Sequence, residues 1–333
     1  MPNILKKLNS FTAMRVKYGS YAVIASGGAS SVRVSVAGYV GGGISSSLPY
    51  DKIDKITFAT DVRTAVSNTL TTGVSWCNGQ ANSGVAGYIH WGSRNSGPTK
   101  AVDKLTFPAD TITHLGSVLN AGSESPQAFA NSAVAGYAIG GQEQAPPYTN
   151  WRYVDRIAFP SDTVTFLGSL LSNGTFNGCG FANNGVAGYV AGGNSGSNTD
   201  RIDRMLFPAE TMSVIAAVLN AAWYGFGSGM ADNAVAGYIP GGTTGPSNTI
   251  KRLSFPAETT SVVSAGTLSV ARSYTMSAAN SGVFGYICGG QDASSASAVI
   301  DKLMFPTETS SVNSYALTVA TLAAAGFSNQ GVF

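Results

Sequence analysis

The sequence predicts an all-β protein: a six-bladed β-propeller closed by its own C-terminal strand, with an N-terminal arm outside the ring. Three observations carry this. A unit recurs six times, marked by Gly-Tyr pairs at Gly38-Tyr39, Gly87-Tyr88, Gly136-Tyr137, Gly188-Tyr189, Gly237-Tyr238 and Gly285-Tyr286, spaced 49, 49, 52, 49 and 48 residues apart. The composition is rich in small residues and poor in charge: 41 of 333 residues are glycine and 11% are charged, against about 25% charged in ordinary soluble domains. That balance disfavours both a helical bundle and a charged, disordered chain. Finally, the chain ends on the beginning of a seventh unit.

The elements follow in order. Residues 1–33 precede the first unit and carry Lys6, Lys7, Arg15, Lys17 and Arg33, while residues 1–50 hold no acidic residue. The first fifty residues are therefore at +5, and residues 51–333, with 14 basic and 17 acidic side chains, are at −3. A basic arm on a mildly acidic body is an attachment pattern, and Lys6, Lys7, Arg15 and Lys17 are its expected docking residues. Five charges are too few for nucleic-acid binding, which shows a domain-wide basic face. No apolar run reaches the length of a membrane span.

Residues 34–333 form the propeller. Each unit reads as four short strands. The first is rich in small residues, as in residues 273–280, and ends in a turn such as Asn280-Ser281-Gly282. The second, as in residues 283–290, carries the Gly-Tyr pair and ends in a double glycine. The third, as in residues 299–306, alternates imperfectly and closes on Phe-Pro, where proline withholds a backbone donor. A fourth follows, such as residues 260–268. The phenylalanines Phe58, Phe107, Phe159, Phe207, Phe255 and Phe305 keep phase with Tyr39, Tyr88, Tyr137, Tyr189, Tyr238 and Tyr286. An acidic residue follows each Phe by three, from Asp61 to Glu308; turn chemistry through Asx-type bonds is its expected role. A four-stranded sheet has two faces to cover, so blades stacked around an axis bury each other. The recurring Phe and Tyr are the expected interblade residues, each tyrosine sending its hydroxyl to a partner.

Closure rests on the ends. Asn329-Gln330-Gly331-Val332 matches Asn280-Ser281-Gly282-Val283, yet the unit at Val36-Ala37-Gly38-Tyr39 has no first strand before it. Residues 321–330 are therefore expected to supply the innermost strand of the first blade, which hides a sheet edge.

Candidate chemistry is sparse. Cys77, Cys179 and Cys288 are odd in number with no CxxC spacing and read as small buried side chains of a chain made in a reducing compartment. His90 and His114 lack the companions of a metal site. Asp54, Asp103, Asp155, Asp203 and Asp301, each followed by Lys or Arg, stand one per blade. Calcium wants six to eight oxygens clustered in one loop, so these carboxylates are read as structural polar pairs. No catalytic set, metal or cofactor is expected. One loop breaks the regularity: Tyr137 to Phe159 spans 22 residues against 17–19 elsewhere. Its excess carries Gln142, Tyr148, Asn150, Trp151, Arg152 and Tyr153, aromatic faces and amides suited to saccharide or protein contact.

The pattern Val154-Asp155-Arg156-Ile157-Ala158-Phe159, then Asp162-Thr163, then Gly188-Tyr189-Val190-Ala191-Gly192-Gly193 resembles kelch-like repeats of marine phage (cyanophage) virion proteins over residues 35–333. Departures are the absent tryptophan of eukaryotic kelch fourth strands, the single glycine of His90-Trp91-Gly92-Ser93, and Lys251 in place of the aspartate. The resemblance implies a non-enzymatic structural protein of a bacteriophage virion, made in the host cytoplasm and attached to tail, fibre or capsid surface as decoration. Its expected partners are other virion proteins through the arm and a host surface glycan or protein through the loops, for host attachment. The alternative is a lectin-like receptor-recognition propeller. A polysaccharide-degrading enzyme would gather acids or histidines at the axial mouth, whereas here they are spread one or two per unit.

Overall fold

The computed structural model describes residues 37–46, 48–90, 92–94, 97–242 and 245–329; the expected arm residues Lys6, Lys7, Arg15 and Lys17 lie outside them. Six antiparallel sheets are arranged as a β-propeller, and no helix occurs among the described residues. From the axis outward, blade one is Ala325–Ser328, Ala37–Gly41, Ile53–Thr57 and Arg63–Ala65. Blade two is Asn78–Asn82, Ala86–His90, Ala101–Thr106 and Thr111–Ser117; blade three is Gln127–Asn131, Ala135–Ile139, Tyr153–Ala158 and Val164–Ser169. Blade four is Cys179–Asn183, Ala187–Ala191, Ile202–Leu206 and Thr211–Val214, and blade six is Met276–Asn280, Phe284–Cys288, Ile300–Met304 and Thr309–Val312. Blade five has Met230–Asp232, Ala236–Pro240, Ser247–Ser254 and the 14-residue outer strand Thr259–Arg272.

The ring closes as the repeat arithmetic requires. Gly38, Tyr39, Val40 and Gly41 pair with Ser328, Phe327, Gly326 and Ala325, and the Asn329 side chain accepts from the Ala37 amide at 3.0 Å. The first and last described strands thus share one sheet.

The Gly-Tyr pair has a steric explanation. Each inner strand sends one side chain into the next blade, where it lies on that blade's glycine. A Cβ on Gly87 would lie 2.1 Å from the Phe327 ring, one on Gly188 2.2 Å from Phe129, and one on Gly237 2.2 Å from Phe181. Met230 meets Gly285 and Ala278 meets Gly38 in the same way, and in blade two the inserted residue is Gln80, against Gly136. The tyrosine beside each glycine then stacks on the following blade's repeat phenylalanine. Tyr39–Phe107, Tyr88–Phe159, Tyr137–Phe207, Tyr189–Phe255 and Tyr238–Phe305 have ring centroids 5.1–5.7 Å apart. Tyr286 and Phe58, tilted at 5.7 Å, join blade six to blade one. All twelve rings are buried, each phenylalanine contributing about 1.5–3 kcal/mol relative to exposure.

The axis is filled rather than open. Six backbone hydrogen bonds run around it in one direction: Trp76 to Ala323 (2.8 Å), Ala323 to Tyr274 (3.2 Å), Tyr274 to Gly225 (2.8 Å), Gly225 to Asn177 (3.4 Å), Asn177 to Ser125 (3.1 Å) and Ser125 to Trp76 (3.0 Å). Five of the six are non-glycine residues with φ of 53–58°, and the sixth is Gly225. At the five non-glycine positions the left-handed turn aims the amide at its neighbour's carbonyl, and the bonds of the ring offset its cost. Blade five carries one residue more than the others between this ring and its inner strand. The surplus bulges into the axis: Gly227–Ser228 pairs in parallel with Cys179 and Gly180 of blade four, and Phe226 reaches the opposite blade to touch Trp76.

Candidate functional site

The ring has two faces. Turns joining inner to second and third to outer strands form one, here the turn face. The longer connections after the double glycines and before each inner strand form the other, the loop face. Most recurring polar residues are consumed between blades. On the turn face, Asn82, Asn131, Asn183 and Asp232, at the ends of inner strands, accept from the turn amides of Ala133, Gly185, Ala234 and Gly282 in the next blade. A second belt runs through the next residue: the Ser83, Ser132, Asn184 and Asn233 amides donate to the side chains of Ser132, Asn184, Asn233 and Ser281.

The acidic residues three positions after each repeat Phe do something other than cap their own turns. Each, held at φ of 48–59°, receives a tyrosine hydroxyl and a basic side chain from the preceding blade. Tyr39 donates to Asp110 at 2.8 Å, and Lys55 lies 2.7 Å from the same carboxylate. Tyr88 and Lys104 meet Asp162, Tyr137 and Arg156 meet Glu210, Tyr189 and Arg204 meet Glu258, and Tyr238 and Arg252 meet Glu308. Tyr286 and Lys302 meet Asp61 across the six–one junction. Burial first, then the neighbouring carboxylate, pushes the Tyr39 phenol far above its ordinary range. The expectation of Asx-type turn bonds is corrected: a half-buried carboxylate with a phenol and a cation in reach gains stronger, charge-assisted bonds across the blade boundary.

The aspartates of the third strands are also interblade groups. Asp103 accepts from the Thr71 amide and hydroxyl at 3.0 and 2.8 Å. Asp54 receives Thr318, Asp155 the Asn120 amide, Asp203 the Ser172 amide and Asp301 the Ser269 amide. Each therefore pins the segment by which the preceding blade leads into its own inner strand. Asp301 is further held by the fully buried Arg272 guanidinium. Where Lys251 replaces the aspartate, it is buried, and burial lowers its pKa.

The three cysteines are free and buried, and burial pushes the Cys77 thiol up to about 12, which removes thiolate character at neutral pH. His90 is buried and burial lowers it to about 3; His114 Nδ1 meets Asp103 at 2.8 Å.

The enlarged connection of blade three lies on the loop face and is largely occupied with itself. Gln142 donates to the Asn150 side chain at 3.0 Å, and Arg152 Nε to the Leu171 carbonyl at 2.6 Å. Trp151 stacks on Tyr153 at 4.6 Å, and Tyr153 meets Phe166 edge-on at 5.2 Å. Trp151 Nε1 is buried and unpartnered among the described residues. Tyr148, 55% exposed, is the aromatic residue of the loop that faces solvent. The start of the same loop, through Glu143, Gln144 and Pro146, walls an open groove of about 690 Å³ whose far side is Pro98, Lys100 and Gly122.

A second loop-face cluster was not legible from the repeat. At the axial mouth Trp76 meets Tyr274 edge-to-face at 5.2 Å and Phe226 at 5.9 Å, and Phe176 meets Tyr224 at 6.1 Å. Burial first, then the neighbouring Tyr224 phenol, raises Tyr274 to about 12. These residues come from blades two, four, five and six, and the positive φ shared by Trp76 and Tyr274 was the hidden common factor.

Comparison with known proteins speaks for the fold. No protein-family model matches the sequence, and no curated protein aligns with it. The solved structure of YjhT superposes with a TM-score of 0.65 over 84% of this chain and 97% of its own, at 14% sequence identity. The chain is similar to that protein as a six-bladed β-propeller.

Proposed function

We propose that this protein is a non-enzymatic interaction module of a bacteriophage virion, docked by its basic N-terminal segment and presenting the loop face to a host surface or a neighbouring subunit. The observation that carries the reading is the division of labour between repeated and unrepeated residues. The tyrosines, acids and cations that recur in every blade bond to one another, so recognition falls to the unrepeated loop-face residues. Tyr148 and the groove beside it are the peripheral part of that surface. The kelch-like, phage-like repeat and the +5 charge of residues 1–50 support the virion setting. The polarity of the ring fits: Ala37 begins its strand at the turn face, so the arm joins the ring there, opposite the loop face.

Deleting residues 1–33 tests the docking claim. The expected result is a ring that melts as the full chain does but is missing from assembled particles, measured by quantitative blotting of purified virions. Normal incorporation of the deleted chain would refute it.

A further inference from the structure

The repeat leaves two innermost positions in each blade free to vary at the axial mouth of the loop face. They are Ser75 and Trp76, Glu124 and Ser125, Phe176 and Asn177, Tyr224 and Gly225, Ser273 and Tyr274, and Leu322 and Ala323. One of these twelve residues, Glu124, is charged, and four are aromatic. Aromatic residues are confined to blades two, four, five and six; Trp76 and Tyr274 meet over blade one, whose equivalent residue is the small Ala323. Trp76, Tyr224 and Tyr274 are half-buried. Phe226, fully buried, lies against Trp76, and the backbone hydrogen-bond ring closes the axis. The mouth is therefore a floor, and an occupant rests on it without threading the ring.

Three features define that occupant. The rings are held by edge-to-face contacts, so they are fixed before anything binds, which lowers the cost of ordering a ligand. Asn177, on the hydrogen-bond ring itself, is 3% exposed and its Oδ1 has no partner among the described residues; such a buried acceptor is costly unless a donor reaches it. Among the described residues, none of the twelve at the mouth is a cation that could fix an anionic ligand. Fixed aromatic faces, one unspent acceptor and near-neutrality match a ligand with apolar C–H faces and hydroxyl donors at its edge. We propose that the axial mouth is a binding site for a neutral saccharide, one pyranose packing its C–H face into the corner between the perpendicular Trp76 and Tyr274 rings with a hydroxyl donating to Asn177. The proposal rests on the loop face being the recognition surface and names the ligand class it takes.

The test is an array of neutral hexose and N-acetylhexosamine oligosaccharides together with acidic ones, probed with the full-length protein and followed by calorimetric titration of the strongest neutral hit. Trp76→Ala and Tyr274→Leu are expected to weaken binding at least about tenfold. Tyr274→Phe is expected to stay within about threefold, since the ring face is retained. Val312→Ala, at an exposed position of the outer strand of blade six, is expected to bind as the parent does. Melting curves accompany each variant, and the Phe and Leu pair at position 274 keeps the test decisive if Trp76→Ala fails to fold. Binding of acidic members alone, no binding at all, or a neutral hit that tolerates Tyr274→Leu would overturn the proposal. Loss of a neutral hit in Tyr148→Ala with retention in Tyr274→Leu would overturn the axial site while leaving the loop face as the recognition surface.

Discussion

The two faces of the ring are built on the same six-fold backbone and differ in what their side chains repeat. On the turn face, Asn82 and its equivalents, the second belt from Ser83 to Ser281, and the Tyr–acid–cation trios recur blade after blade. On the loop face the backbone recurs just as strictly: the second glycine of each double glycine donates to the carbonyl of Val74, Thr175, Trp223, Arg272 or Thr321, and Gly92 to Ser123. Yet the six acceptor residues, a valine, a serine, two threonines, a tryptophan and an arginine, have no side-chain chemistry common to all of them. A residue is held constant where its side chain bridges to the next blade, and is released where the backbone alone makes the bridge. Apart from the third-strand aspartates, the loop-face positions bridged by main-chain bonds are therefore the ones free to diversify.

That contrast can be broken in order of expected effect. Phe181→Ala removes a buried ring from the contact with Gly237 and should cost about 3–5 kcal/mol, read from urea unfolding; a loss under about 1 kcal/mol would mean the interblade insertion is not what holds neighbours together. Glu258→Gln takes the charge from the Tyr189–Arg204 trio and should cost about 1–2 kcal/mol, with no comparable loss from Gln142→Ala on the opposite face. In the other direction, Gln80 stands fully buried where five blades have Phe, Met or Ala, and both its amide atoms lack partners among the described residues. Gln80→Met keeps the shape and removes the unsatisfied polar group, so the protein should gain about 1–2 kcal/mol; an unchanged melting midpoint would argue that solvent satisfies the amide.

Asp155 sharpens the comparison through pH. Burial raises its folded-state pKa to about 6, above the roughly 3.9 of an unfolded chain. The folded protein holds the proton more tightly, so the contribution of this residue to stability is greatest below about pH 4, falls as pH rises to about 6, and is flat beyond. Asp155→Asn should erase that slope and raise stability at neutral pH by about 1 kcal/mol, measured by melts across the range. The smallest effect belongs to the loop face: Tyr148→Ala should leave stability within about 0.5 kcal/mol, since its side chain faces solvent.

Much of this architecture is written in the chain. Two markers in phase, Gly-Tyr and Phe, were enough to count six blades, and the partial unit at Asn329 was enough to place the closing strand beside Gly38. What the recurring residues do was only partly legible. The Tyr hydroxyl was expected to find a partner, but Asp110 lies 71 residues beyond Tyr39, and the acid looked like a turn residue because local spacing says nothing about a neighbouring blade. Within the 142–153 loop the composition was plain, whereas the stacking of Trp151 on Tyr153 and the exposure of Tyr148 depend on packing.

The sequence by itself determined the number of sheets, their order and their closure, because periodicity along a chain survives without any knowledge of three dimensions. The tertiary structure decided which side chains meet across blades and across the axis. Trp76, Phe226 and Tyr274 share no motif and lie far apart in sequence; they meet because a closed ring brings six inner strands to one point, and because one surplus residue in blade five fills that point.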